Sequence, residues 1–390
     1  MSKTLSLKDK KQLIDRFLGK KVEGGSPVSS MPISRNGHRI DIPDEFVRFE
    51  HHPGYKRIML SQAAADTFGV LNPFFRIHDG VACARMKIEG REFINFANYN
   101  YLGLAGHPNV NNAAKEAIDH YGTSASASRL VAGELPIQRE LEEAIADVYE
   151  VEDCVVFVSG HATNVSTIGL LFGPKDLVIH DSLIHNSVLE GIQAAGSARR
   201  SFPHNDTNAL EQILTEIRGK FERVLIVAEG LYSMDGDILD LPALINIKRR
   251  HKAFLMVDEA HSFGVLGETG KGIREHFGVD GKDVDIWMGT LSKTLAGCGG
   301  FIAGERALVE HLKYAAPGFV YSVGMAAPLA AASLEALRIM LREPERVRRL
   351  GEIAQQFLAE MQAIGVNTGY AEGHAVVPAI IGSSLKATQL

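Results

Sequence analysis

Residues 253–264 read AFLMVDEAHSFG: an unbroken apolar run that stops on Asp258, with His261 three places further on. Apolar side chains at successive positions, rather than at alternate ones, suit a strand buried on both faces, as in a parallel sheet covered by helices. Similar runs recur at CVVFV (154–158), LVIH (177–180), VLIVAE (224–229), DIWMG (285–289) and GFIAG (300–304). Between them lie helical stripes such as Ile137, Leu141, Ile145 and Val148, spaced three or four residues apart. This alternation from about residue 110 onward predicts an α/β fold with a mostly parallel central sheet and helices on both faces.

In such sheets ligands collect beyond the carboxyl ends of the strands, so the residues that follow each run are the informative ones. Asp258 sits at such an end, and a buried carboxylate costs several kcal/mol unless a cation meets it. An Arg or Lys salt bridge would satisfy it. A magnesium-binding role would need a phosphate loop, and Gly267–Gly272 (GETGKG) lacks both the glycine spacing and the Ser/Thr after lysine. After CVVFV comes Ser159-Gly160-His161-Ala162-Thr163-Asn164, a small-residue turn into a helix, whose N–H groups form a phosphate seat or simply a cap. After DIWMG comes Thr290-Leu291-Ser292-Lys293, and a lysine in such a loop is ordinarily solvated. Together the three ends supply a phosphate seat, a partner for a pyridinium nitrogen and an amine for a Schiff base. Those are the fixed points that pyridoxal 5′-phosphate (PLP) demands.

The rest of the chain narrows the class. The 390 residues exceed what one core usually fills, and the composition is ordinary for a globular protein: 45% hydrophobic, 23% charged. A net charge of -6 leaves no electrostatic footprint for nucleic acid. Cys83, Cys154 and Cys298 are too few and too scattered for a disulfide framework or a zinc knuckle, which fits a reducing cytoplasm. No stretch approaches the ~18 uncharged apolar residues of a membrane span. Residues 9–18 read as a short amphipathic helix, followed by a breaker-rich linker, and Ala82–Ile88 with Glu92–Phe96 read as a hairpin about Glu89-Gly90. The expected organisation is an N-terminal extension over 1–90, a large α/β domain over 91–345, and over 346–390 the start of a small C-terminal domain. Helices are expected over 328–342 and 345–364, and one strand in AVVPAIIGSS (375–384), where the small domain looks cut short.

Seven segments resemble the α-oxoamine synthases, fold-type I PLP-dependent transferases that include 8-amino-7-oxononanoate synthase and serine palmitoyltransferase. They are NYNYLGLAGHP (98–108), YGTSASASRLVAG (121–133), VSGHATN (158–164), HDSLIHNS (180–187), EGLYSMDGD (229–237), VDEAHSFGVLGETGKG (257–272) and GTLSKTLAGCGG (289–300). The resemblance implies that Lys293 is the Schiff-base lysine, Asp258 the partner of the ring nitrogen, His261 a contact of the ring hydroxyl and His185 a ring stacked on the cofactor's face. It places Ser233 near the ring and makes Ser159, Gly160 and Thr290 phosphate contacts. His161 joins the cofactor-binding set, at a position where the relatives often carry an aromatic ring. The family builds its sites between two subunits of a homodimer, so Ser322, in Tyr321-Ser322-Val323-Gly324, would reach the neighbour's phosphate. His180 and His276 read as ordinary structural residues. The relatives' small C-terminal domain supplies an arginine that grips the substrate carboxylate, and this stretch of sequence does not show it.

The activity this implies is a decarboxylative Claisen condensation of an amino acid with an acyl thioester. It gives an α-aminoketone and carbon dioxide, with the Lys293 amine taking the α-proton. The thioester is carried by coenzyme A or by an acyl carrier protein. The long N-terminal extension and the loop wording resemble synthases embedded in polyketide assembly lines and favour the carrier protein. A fold-type I aminotransferase, or a non-catalytic subunit of a synthase heterodimer, are the alternatives.

Overall fold

The computed structural model describes residues 42–67, 69 and 72–389; the helix expected at 9–18 lies outside them. The chain separates into two compact units, Met1–Asn72 and Pro73–Leu390. In the first, two 3-10 turns, Asp44–Phe46 and Phe49–His51, precede a helix over Pro53–Thr67.

The second unit opens with a three-stranded antiparallel sheet of β1 (His78–Asp79), β2 (Arg85–Ile88) and β3 (Arg91–Ile94). The expected hairpin is here, with Ile88 opposite Arg91. Its two-residue turn needs positive φ at both positions, and Glu89 (51°) and Gly90 (78°) supply it.

The main sheet has seven strands: β4 (Asp153–Phe157), β5 (Leu177–Asp181), β6 (Ala198–Phe202), β7 (Val224–Glu229), β8 (Phe254–Asp258), β9 (Ile286–Thr290) and β10 (Gly300–Gly304). Their order is β4-β10-β9-β8-β7-β5-β6. All run in one direction except β10, which is antiparallel to both its neighbours. The expected fold class therefore holds. Its physical basis is visible in the core: along β7, Val224, Ile226 and Ala228 join one apolar cluster, while Leu225 and Val227 join the cluster on the other face. Consecutive residues alternate between two buried faces, so both sets must be apolar. Sequence reading missed β6, whose ARRSF is exposed over its middle three residues and carries no apolar run.

Helices over Ala327–Arg342 and Glu345–Ala363 match expectation. The strand expected in AVVPAIIGSS does not form: 375–383 is irregular and a short helix, Ser384–Gln389, follows. An apolar segment becomes a strand only by pairing. The Ile380 N–H reaches the Asn367 carbonyl (2.8 Å), Pro378 has no N–H to give, and no ladder develops among the described residues.

Candidate active site

Registers between neighbouring strands bring Glu229 beside Asp258, Asp258 beside Met288, and Gly300 beside both Thr290 and Phe157. The carboxyl ends of β4, β7, β8 and β9 thus converge, and a cavity of about 280 Å³ opens there. It is lined by Ser159, Gly160, His161, His185, Asp258, His261, Thr290 and Lys293, eight of the ten residues singled out from sequence. Ser233, on the turn after β7, and Ser322, on the segment before the helix at Ala327, are not among its lining residues. A larger open cleft, about 850 Å³, lies among Leu266, Glu275, Val347 and His374. It contains none of the ten, and its Glu275 is already engaged by Thr269 and by the Lys271 N–H.

Asp258 is 4% exposed. Its Oδ1 accepts from the Ala260 N–H (2.9 Å) and its Oδ2 from the Asn164 side-chain amide (3.0 Å). Among the described residues no arginine, lysine or histidine pairs with it. A buried carboxylate with only neutral donors, facing a cavity, is suited to a cationic N–H brought from outside. Asn164 is itself held by Ser187 Oγ (2.9 Å), which also meets His185 Nδ1 (2.7 Å). Asn164 lies one helical turn beyond Gly160 in a segment already flagged, so its spacing was the signal that went unread.

Lys293 projects from the β9–β10 loop, which is pinned at several points. Thr290 Oγ1 donates to the Gly299 carbonyl (2.9 Å) and accepts from the Ser292 N–H (3.2 Å), while Thr294 Oγ1 donates to the Phe263 carbonyl (2.9 Å). The Lys293 ammonium lies 5.5 Å from the centre of the Tyr99 ring. Burial pulls the lysine below its ordinary range, against the opposing pull of Asp258 and Glu229. His261 is driven down to about 3, first by burial and then by Lys293 and His185, so its ring is neutral. Its Nδ1 is 2.7 Å from the Tyr101 hydroxyl, whose own proton burial holds more tightly.

At the other wall, Ser159 caps the helix Gly160–Leu171, its Oγ accepting from the Ala162 N–H (3.3 Å). A Cβ on Gly160 would lie 3.0 Å from Thr290 Oγ1 and 3.4 Å from the Gly299 carbonyl oxygen, so a side chain here would crowd this wall and make its neighbours shift by a few tenths of an ångström. His161 Nε2 is 3.3 Å from Glu190 Oε2 at the mouth. Glu229 is a further lining residue that sequence reading passed over, beside Asn164 and Ser187, although it ends an apolar strand as Asp258 does.

The family model described as aminotransferase class I and II matches residues 91–390. The 8-amino-7-oxononanoate synthase of Symbiobacterium thermophilum is 40% identical over 306 residues, 78% of each chain. That of Geobacter sulfurreducens is 42% identical over 303 residues, 77% of each. A solved serine palmitoyltransferase from S. paucimobilis, with PLP and myriocin bound, superposes with a TM-score of 0.82 at 28% identity, over 86% of this chain and 87% of that one. No helix among the described residues is long and apolar enough to cross a membrane.

Proposed function

The chain belongs to the aminotransferase class I and II family and, within it, to the α-oxoamine synthases, and on that premise we propose that its cavity condenses an amino acid with an acyl thioester delivered by a carrier protein. It is a PLP-dependent acyltransferase, and the condensation releases carbon dioxide. The observation that carries the site assignment is the buried Asp258, without a cationic partner, in the same small cavity as a desolvated lysine.

The residues fit the cofactor. Lys293 would hold it through Nζ, Asp258 would hold its ring nitrogen, and Ser159, Gly160 and Thr290 would take its phosphate at the helix start, where backbone N–H groups lack intrahelical partners. His185 at the cavity and His161 at its mouth would flank the ring, and Ser233 would approach it from the turn after β7. When bound, the cofactor supplies an electron sink for the bond broken at the amino acid's α-carbon.

The protein's own groups do the rest. Burial favours the neutral amine of Lys293, the form able to take a proton from a carbon acid. Asp258, fixed by two donors, stays an acceptor. His261, neutral and tied to Tyr101, offers a directed ring nitrogen without adding positive charge. A homodimer, with Ser322 reaching the partner's phosphate and the pair residing in the cytoplasm, completes the proposal.

Two measurements test it. After PLP loading and borohydride reduction, the labelled peptide should contain Lys293; a label elsewhere refutes the site. Carbon dioxide release should require an amino acid with a thioester, and should be faster with an acylated carrier protein than with the same acyl coenzyme A. Equal rates refute the carrier, and amino-group exchange with a keto acid in place of carbon dioxide release would mark an aminotransferase.

A further inference from the structure

Glu229 and Asp258 occupy neighbouring registered positions on the parallel strands β7 and β8, both carboxyls buried and both lining the cavity. Their treatment differs. Asp258 has its two neutral donors, whereas Glu229 Oε1 is buried with no hydrogen-bond partner. The groups facing Glu229 are Asp258 from β8, Lys293 from the β9–β10 loop, the backbone N–H groups of His185 and Ser233, and Tyr232 on its own turn. Two carboxylates side by side in a dry site do not both ionise, and the one with better donors keeps the charge. Burial and the neighbouring Asp258 outweigh Lys293 and the two N–H groups and push Glu229 well above the usual carboxyl range.

We propose that Glu229 is a positioning residue that keeps its proton, presents Oε1 to the cavity as a hydrogen-bond donor, and leaves Asp258 as the sole anion opposite Lys293. This rests on the PLP reading for the identity of the occupant, but not for the state of the acid. A neutral Glu229 leaves one carboxylate for one cationic partner, so the ring nitrogen and Lys293 are not both over-stabilised as cations. Were both acids ionised, the Lys293 amine would be held as an ammonium, the form that cannot accept a proton.

The full-length protein without added cofactor is examined first, by infrared titration after labelling with carbon-13 glutamate. A carboxylic C=O band of glutamic acid is expected to persist above the pH at which Glu259, a buried glutamate pushed up to about 7, loses its proton; Glu142, also buried, is paired with Arg129. No such band overturns the proposal whatever the cofactor does. The cofactor-loaded protein is examined next, by pH titration of its visible absorption. Gln copies a neutral acid, so Glu229→Gln should leave the midpoint and PLP affinity within about twofold of wild type, and Glu229→Leu, which removes the donor, should weaken PLP about tenfold. A midpoint moved by about one unit or more in Glu229→Gln marks an ionised Glu229 and overturns the proposal. Failure of the wild type to bind PLP would instead refute the cofactor reading, and the infrared result would stand.

Discussion

Asn164→Ala tests whether Asp258 depends on its side-chain donor. The variant removes two hydrogen bonds from a buried amide: 3.0 Å to Asp258 Oδ2 and 2.9 Å to Ser187 Oγ. A bond to an ionised group contributes about 1.5–3 kcal/mol and a neutral one about 1 kcal/mol, so the cofactor-free protein should lose about 3 kcal/mol. Ser187→Ala removes this neutral bond and Ser187's contact with His185 Nδ1 but leaves the bond to Asp258, for a loss of about 2 kcal/mol. Urea unfolding of the three proteins, compared at equal m-value, gives both losses; because only Ser187→Ala also loses the contact with His185, the excess in Asn164→Ala is a lower bound on the Asp258 bond. The same change should weaken PLP binding about tenfold, because the carboxylate that meets the ring nitrogen is less firmly held. If Asn164→Ala loses only the ~1 kcal/mol of its neutral bond to Ser187, Asp258 does not need this donor, and the reasoning about its fixed orientation fails.

The remaining expectations concern the other walls. Native His261 stays neutral down to about 3 while the unfolded imidazole protonates near 6.5, so the unfolded state binds the extra proton between those values and stability falls on acidification through that window. His261→Gln, which has no such proton to take up, should move the acid-unfolding midpoint to lower pH; an unchanged midpoint refutes the burial argument. Lys293 is depressed in the fold, so below 10.5 the unfolded chain binds the proton that the native amine gives up, and cofactor-free Lys293→Met should be more stable than wild type near neutrality, the gap closing toward pH 10.5. Calorimetry across pH reads this, and a less stable variant contradicts it. Gly160→Ala places a methyl 3.0 Å from Thr290 Oγ1, so PLP affinity should fall about tenfold with the protein still folded; unchanged affinity would move the phosphate away from this turn.

Much of this was legible in the sequence because the same physics writes both patterns. Strands buried on both faces need unbroken apolar runs, and β7 and β10 occupy the very residues of VLIVAE and GFIAG. Charged or small residues at the ends of such runs marked Ser159, Asp258 and Lys293. What stayed hidden depends on partners distant in sequence. Asn164 matters through Asp258, ninety-four residues away, and Tyr101 through His261, one hundred and sixty away; helical spacing puts Asn164 near the Ser159 turn, but neither partner is written in the local sequence. The edge strand β6 lacked the signal because half of it faces water, and AVVPAIIGSS carried the signal without a neighbour to pair with.

The orientation of β10 explains why the lysine can sit where it does. A parallel connection would carry the chain after Thr290 into a helix and away from the ends of the strands. Because β10 is antiparallel to β9, with Gly300 opposite Thr290, the nine residues between them form a hairpin loop that stays over the carboxyl edge. Gly300 also lies opposite Phe157 at the end of β4, two residues before Ser159, so one reversal brings the amine and the helix-start turn to the same rim. The sole reversed strand of the main sheet is therefore the feature that assembles Lys293 with Ser159 and Asp258. A substitution that loosened the pins of that loop, Thr290 Oγ1 on Gly299 and Thr294 Oγ1 on Phe263, should act on the lysine before it acts on the fold.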